Sequence, residues 1–269
     1  RCRPRLVSAI SSVALAATFS PELVRNVGGA IARELRAQGR DMLLAPCVNI
    51  HRVPMAGRNF ESYGEDPFLA ARMTVAYIRG VQAEGVIASV KHFAANNQEQ
   101  DRNTIDVRVD ERALHEIYFP AFEAAVREAG VWSVMSAYNK INGEWCSENS
   151  RLLTEILKNR WGFRGFVVSD WGAVQSTVRT ANAGCDLEMP TGKFMNARAL
   201  LGEVAAGRVT QATVDDKARR ILRVMFLSGL FDREGKAAAA EPDLPAHRLL
   251  SRAAAAEETV LLKNDGGIL

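Results

Sequence analysis

The sequence is short of the residues that mark several functional classes. Aromatic side chains make up only 7% of 269 residues, too few for a base-stacking platform along a nucleic acid. Thirty-four Lys and Arg against thirty-one Asp and Glu leave a net charge of +3, so no broad basic field exists for a phosphate backbone. The four cysteines, Cys2, Cys47, Cys146 and Cys185, form no CxxC, and no histidine pair has zinc-ligand spacing. Small buried thiols are expected, with no metal site and no cofactor. No apolar run reaches the roughly eighteen residues of a membrane span. No GxGxxG follows a strand either, which removes the main support for a dinucleotide site.

What is present is ordinary globular composition, 48% hydrophobic and 24% charged, enough for a core without disulfides. Arg1, Arg3 and Arg5 followed by LVSAISSVALAA imitate the basic and apolar parts of a signal peptide. Ser8, Ser11 and Ser12 interrupt the apolar stretch and no Met opens the chain, so a truncated start is the expectation.

Strand and helix patterns then alternate. Ser20, Pro21 and Glu22 start a helix carrying Leu23, Val27, Ile31 and Leu35, stopped at Gly39. MLLAPCVNI reads as a strand. Asp66 and Pro67 open the next helix, with Leu69, Met73, Tyr77 and Val81 on one face. VIASVKHF, VWSVMSAY, GFVVSDW and CDLEMP are further strands. Helices are expected from Asp110 to Gly130, from Ser150 to Trp161, over AVQSTVRTANAG, and over 193–206 and 213–228. Strands apolar throughout, each followed by a helix, are buried parallel strands. Two architectures fit, a barrel and a doubly wound open sheet.

Each strand ends in polar, reactive residues: Asn49-Ile50-His51, Lys91-His92, Ser136 to Asn139, Ser169-Asp170-Trp171 and Asp186-Leu187-Glu188. Strand C-termini hold the active site of a barrel, so this regularity reads as a site.

GRNFESYGEDP, KHFAANNQE, SVMSAYNKING and VVSDWGA, in that order and spacing, resemble glycoside hydrolase family 3, the retaining exo-β-glycosidases that include many β-glucosidases. The resemblance runs from VALAATFSPELV to ETVLLKNDGGIL. It implies an α/β fold with a (β/α)8 TIM-barrel-like domain, incomplete at its N-terminus, over residues 1–231. A linker at 232–246 and the beginning of a second α/β domain at 247–269 would follow. The implied activity is removal of terminal β-linked glucose from a carbohydrate substrate, with no nucleic-acid or membrane partner. A homo-oligomer is compatible with it.

On the same resemblance, Asp170 is the catalytic nucleophile, and Arg58, Lys91, His92, Met135, Tyr138 and Trp171 are substrate-binding. Glu61, Glu99, Arg102 and Asp186 would hold these in place. The chemistry agrees: a glycosidic bond breaks through an oxocarbenium-like state that needs a carboxylate beneath the anomeric carbon and a proton donor above the leaving oxygen. Taken alone, Asp170 is equally a helix N-cap, Met135 core, Trp171 barrel packing, and Arg58 a loop brace toward Glu61 or Glu65. Strand alternation sends Lys91 and His92 to opposite faces. The family's acid/base glutamate comes from a following domain, so it is expected outside this chain, as is the aspartate of the first barrel strand. The KHFPGHG loop of the single-domain branch is not matched by KHFAANNQE. Two other readings are a sugar-binding fragment without turnover and an aldolase using Lys91 as a Schiff-base nucleophile.

Overall fold

The computed structural model of the chain describes residues 10–233 and 241–267. Cys2, the arginine-rich start and the alanine run of the expected linker lie outside these residues. The helix starts at Ser20 and Asp66 follow caps read in the sequence, and one at Ser11 was not expected. Ser11 caps α1 (Ser12–Ala17) and Ser20 caps α2 (Pro21–Ala37), with Pro21 where its missing N–H is harmless. After β1 (Met42–Leu43), Asp66 caps α3 (Pro67–Ala83), accepting from Leu69 N at 2.6 Å. β2 (Ile87–Phe93) and a two-residue strand β3 (Asp106–Val107) follow.

The helix expected from Asp110 to Gly130 is broken. Asp110 caps α4 (Glu111–Ala113), which widens into π-helix at Leu114–Tyr118 before α5 (Pro120–Arg127). Pro120 is the cause. It carries no N–H to continue the ladder, and Phe119 N instead reaches back five residues to the Leu114 carbonyl at 2.8 Å.

β4 (Ser133–Ser136), β5 (Lys140–Ile141) and β6 (Glu144–Trp145) lead to a π-type helix at Arg151–Arg160, then β7 (Phe166–Ser169) and α6 (Thr177–Ala183). The last described helices are α7 (Ala197–Ala205), α8 (Gln211–Leu227), α9 (Leu230–Arg233) and α10 (Leu244–Glu257). α7 starts later than the sequence pattern implies, because Glu188 accepts from Phe194 N and Met195 N and holds that stretch as a loop.

The main sheet has the order β1-β2-β4-β7, every pair parallel, and Leu187 bridges Val168 on the outer side of β7. Parallel strands linked by helices give the α/β, TIM-barrel-like arrangement read from the sequence. Only Met42 and Leu43 of MLLAPCVNI count as strand, since Pro46 cannot donate to the ladder, yet the segment still lies along β2 through Val48 N to Lys91 O at 2.8 Å. A second sheet, β3-β5-β6, has strands too short for any periodicity to reveal.

α8 closes the N-terminal end of the sheet. Arg220 donates to the Phe163 and Gly165 carbonyls, and Arg223 to that of Arg164. The opposite, C-terminal rim stays free for chemistry. α10 begins at Leu244, inside the stretch read as linker, because Asp243 caps it. It packs on α2 through a buried His247 Nδ1–Glu34 Oε1 contact of 2.7 Å. Residues 259–267 form neither helix nor strand, and Val260, Leu261 and Leu262 are exposed. Among the described residues no helix is long and apolar enough to cross a membrane.

α2 and α3 touch backbone to backbone through glycines. A Cβ on Gly80 would stand 2.1 Å from the Arg25 carbonyl oxygen, and one on Gly28 2.7 Å from that of Tyr77. Gly80→Ala is therefore expected to destabilise by about 3 kcal/mol or more in urea unfolding. Gly202→Ala, where an added Cβ meets nothing within 4 Å, should be neutral or stabilising by about 0.5–1 kcal/mol. Equal losses at both positions would contradict the packing described.

Candidate active site

All four strands of the main sheet point their C-terminal ends at one rim. Asp170 directly follows β7, and its N–H donates to the Ser136 carbonyl at 3.2 Å, tying it to the end of β4. Trp171 N donates to Asp170 Oδ1 at 2.7 Å. The other carboxylate oxygen, Oδ2, is buried and hydrogen-bonded to no side chain or backbone group. Asp170 does not cap the next helix, since α6 starts only at Thr177 after Ser176. Buried oxygens without partners are rare except where function requires them.

Lys91 and His92 both reach this rim. The register between β2 and β4 slips between Val90 and Phe93, so one extra residue sits on β2. That bulge relaxes the alternation expected to send the two side chains apart. Lys91 Nζ lies 2.7 Å from Glu61 Oε1, and His92 Nε2 lies 3.5 Å from Asp170 Oδ2. Phe93 anchors the strand end below them, its ring packed against Phe119, Phe122 and Trp161 at centroid distances of 5.0–5.7 Å.

The loop after β1 brings in Arg58. Its guanidinium grips Glu61 Oε2 through Nε at 2.8 Å and Nη2 at 2.6 Å, and lies 3.8 Å from Glu99. Glu99 in turn accepts from Arg102 at 2.6 Å, and the Arg102 guanidinium stands 4.6 Å over the Tyr138 ring. Burial and the Asp170 carboxylate beside it push the Tyr138 hydroxyl up to about 12. It stays protonated, a donor beside the carboxylate. Trp171 is 40% exposed at the same rim.

Met135 is placed differently. It is buried with Ile87, Phe166, Val168 and Val224, an apolar cluster beneath the polar rim. Asp186 accepts from Lys158 Nζ at 2.7 Å and Val167 N at 2.7 Å, so it braces β7 rather than lining the rim. Lys91 is clamped by Glu61 at 2.7 Å rather than set in the apolar pocket that a Schiff-base lysine uses.

Ser147 and Glu148, not singled out in the sequence, and Asn49, named there only as a strand-end residue, brace this rim. Ser147 Oγ donates to the Ala173 carbonyl at 3.0 Å, and Glu148 Oε1 accepts from Ser176 Oγ at 2.6 Å, so this turn pins the loop that follows the nucleophile candidate. Asn49 grips the His92 backbone on both sides, accepting from its N–H at 2.9 Å and donating to its carbonyl at 2.9 Å. Only the position of Asn49 at a strand end hinted at this.

Burial alone would raise the Glu61 carboxyl, but Lys91 and Arg58 outweigh it and hold Glu61 below the ordinary glutamate range. A depressed carboxyl contributes stability above its unfolded value, and that contribution is lost as pH falls toward the folded one. Glu61→Gln should thus cost about 2 kcal/mol near neutrality, a value between exposed and buried pairs. The gap from wild type in urea unfolding should hold down to about pH 5 and narrow at lower pH. A gap that widens in acid would contradict the ion-pair assignment.

The family model described as Glycosyl hydrolase family 3 N terminal domain matches residues 8–224. Thermostable beta-glucosidase B of Acetivibrio thermocellus is 49% identical over 259 residues, covering 96% of this chain and 34% of that protein. The beta-glucosidase of Rhizobium radiobacter is 50% identical over 255 residues, 95% of this chain and 31% of that one. The solved structure of beta-glucosidase 3B from Thermotoga neapolitana in complex with glucose superposes with a TM-score of 0.90 at 42% identity, covering 96% of this chain and 37% of that chain. The chain spans about a third of the length of the curated relatives it matches. With one fold and one order of motifs shared across that span, this chain belongs to glycosyl hydrolase family 3, within its N-terminal domain.

Proposed function

We propose that these residues form the nucleophile half of a retaining exo-β-glycosidase of the β-glucosidase type. Asp170 Oδ2 attacks the anomeric carbon of a terminal β-linked glucosyl unit and forms a covalent glycosyl-enzyme, which water then hydrolyses. The observation that carries this reading is the Asp170 carboxylate, buried at a strand end with His92 Nε2 3.5 Å from Oδ2 and the protonated Tyr138 hydroxyl beside it.

Arg58, Lys91 and His92 hold the sugar hydroxyls, which both donate and accept and are bound best by fixed polar groups. Tyr138 donates a hydrogen bond near the ring oxygen or the nucleophile, Trp171 offers a flat wall to a sugar face, and Met135 supports the floor from below. The glucose in the Thermotoga neapolitana structure supports a gluco-configured sugar here.

The proton donor comes from outside residues 1–269, from a following α/β domain to which 247–269 lead. Two local facts support this. Glu61 is held below the ordinary glutamate range by Lys91 and Arg58, and Glu99 is tied up in an ion pair with Arg102, so neither is placed as a proton donor.

A leaving group such as dinitrophenolate departs without protonation, so glycosylation proceeds without that donor, whereas deglycosylation is left slow. The chain should therefore cleave dinitrophenyl β-glucoside in a burst followed by slow turnover. Azide, which needs no deprotonation, should raise the slow rate about tenfold or more. Asp170→Asn should remove both phases. A burst that survives Asp170→Asn would sink the nucleophile assignment, and rapid cellobiose hydrolysis by this chain would place the acid within it.

A further inference from the structure

The three hydrogen bonds around Asn49 fix a proton that the fold alone would leave free. Asn49 Nδ2 donates to the His92 carbonyl, and Asn49 Oδ1 accepts from His92 N–H at 2.9 Å and faces His92 Nδ1 at 3.0 Å. Turning the amide over would set its N–H2 against the His92 N–H and its oxygen against a carbonyl. The orientation is therefore determined, and an amide oxygen at 3.0 Å requires that Nδ1 carry a proton.

A neutral imidazole has one N–H, so Nε2 is left bare. Burial, with Lys91, Arg58 and Arg102 adding to it, pushes His92 well below its ordinary range, which keeps the ring from taking a second proton. Cys47 lies on the same amide oxygen at 3.6 Å, its thiol pushed up to about 11 by burial and therefore a donor as well. The groups facing the ring are thus Asn49 and Cys47 on one side and Asp170 on the other. On the far side His92 Nε2 and Asp170 Oδ2 stand 3.5 Å apart, both acceptors, with the Tyr138 hydroxyl the donor beside the carboxylate.

We propose that Asn49 is a positioning residue that holds His92 as its Nδ1–H tautomer, so that Nε2 cannot donate to Asp170 and instead accepts a hydrogen bond from a substrate hydroxyl. The alternative Nε2–H tautomer would donate a hydrogen bond toward Oδ2 and blunt the oxygen that must attack. With Asn49 in place, His92 Nε2 presents a lone pair, a match for a sugar hydroxyl and a mismatch for an analogue lacking it, while Oδ2 is left for attack. The substrate part of this inference rests on the glycosidase reading; the tautomer does not.

The tautomer is read directly by long-range 1H–15N correlation on histidine-labelled chain, with His92→Gln to assign the ring among His51, His92, His115 and His247. Wild type should show a protonated Nδ1 and an unprotonated Nε2, unchanged between about pH 5 and 8. Asn49→Leu should shift the proton to Nε2, while Asn49→Asp, which keeps the acceptor, should retain it on Nδ1. A wild-type proton on Nε2, or an unchanged tautomer in Asn49→Leu, would overturn the inference. Should Asn49→Leu not fold, the wild-type and Asn49→Asp spectra decide it.

Covalent labelling at Asp170 by a 2-fluoro-glucosyl donor with an activated leaving group gives the second readout. Asn49→Leu should label about tenfold more slowly than wild type and Asn49→Asp between the two. Equal rates in all three would overturn the positioning role. Absence of labelling in wild type with the stated tautomer would count against the glycosidase reading and leave the Asn49–His92 arrangement standing.

Discussion

The rim depends on one shared carboxylate. Glu61 takes Arg58 on one oxygen and Lys91 on the other, at 2.6 and 2.7 Å. Without it two cations from different elements would face each other in a half-buried space, and the loop after β1 would have no charge to fold onto. With it, the positive charges are held beside the strand ends yet balanced, and Asp170 is not drawn into an ion pair of its own. A carboxylate locked by a strong partner is a poor nucleophile; one with a free oxygen in a fixed place is a prepared one.

That balance needs the strand ends to stay where they are. The bulge in β2 turns Lys91 and His92 to the same side, and the aromatic cluster around Phe93 keeps the bulge from relaxing. Below, Met135 and its apolar neighbours fill the sheet interior, and α8 seals the N-terminal end with arginine-to-carbonyl bonds. On the loop side, Ser147 and Glu148 fix the turn after Asp170. Rigid elements carry the reactive groups, and the loops between them are pinned by buried polar side chains.

Much of this was legible in the sequence, and the misses have physical causes. Caps at Ser20, Asp66 and Asp110 are local hydrogen bonds, so their signal lies within four residues and was readable. Apolar strands followed by polar residues showed at which end of the sheet Lys91, His92 and Asp170 would gather. The break at Pro120 was visible as a residue but outweighed by the helical spacing on both sides. The bulge at Lys91–His92 depends on register against β4, which one strand's sequence cannot encode. Asn49, Ser147 and Glu148 act across 26 residues or more of chain, where no motif links them to their partners. The docking of α10 on α2 through His247 and Glu34 joins residues 213 apart, so no local pattern announces it.

The most direct test is a crystal structure of this chain with glucose. The account predicts a sugar ring against Trp171, with hydroxyls within hydrogen-bond reach of Lys91 Nζ, His92 Nε2 and Asp170 Oδ2, and with Glu61 still holding Arg58. Glucose bound away from this rim, or an Asp170 Oδ2 paired with a protein side chain while sugar is present, would contradict it.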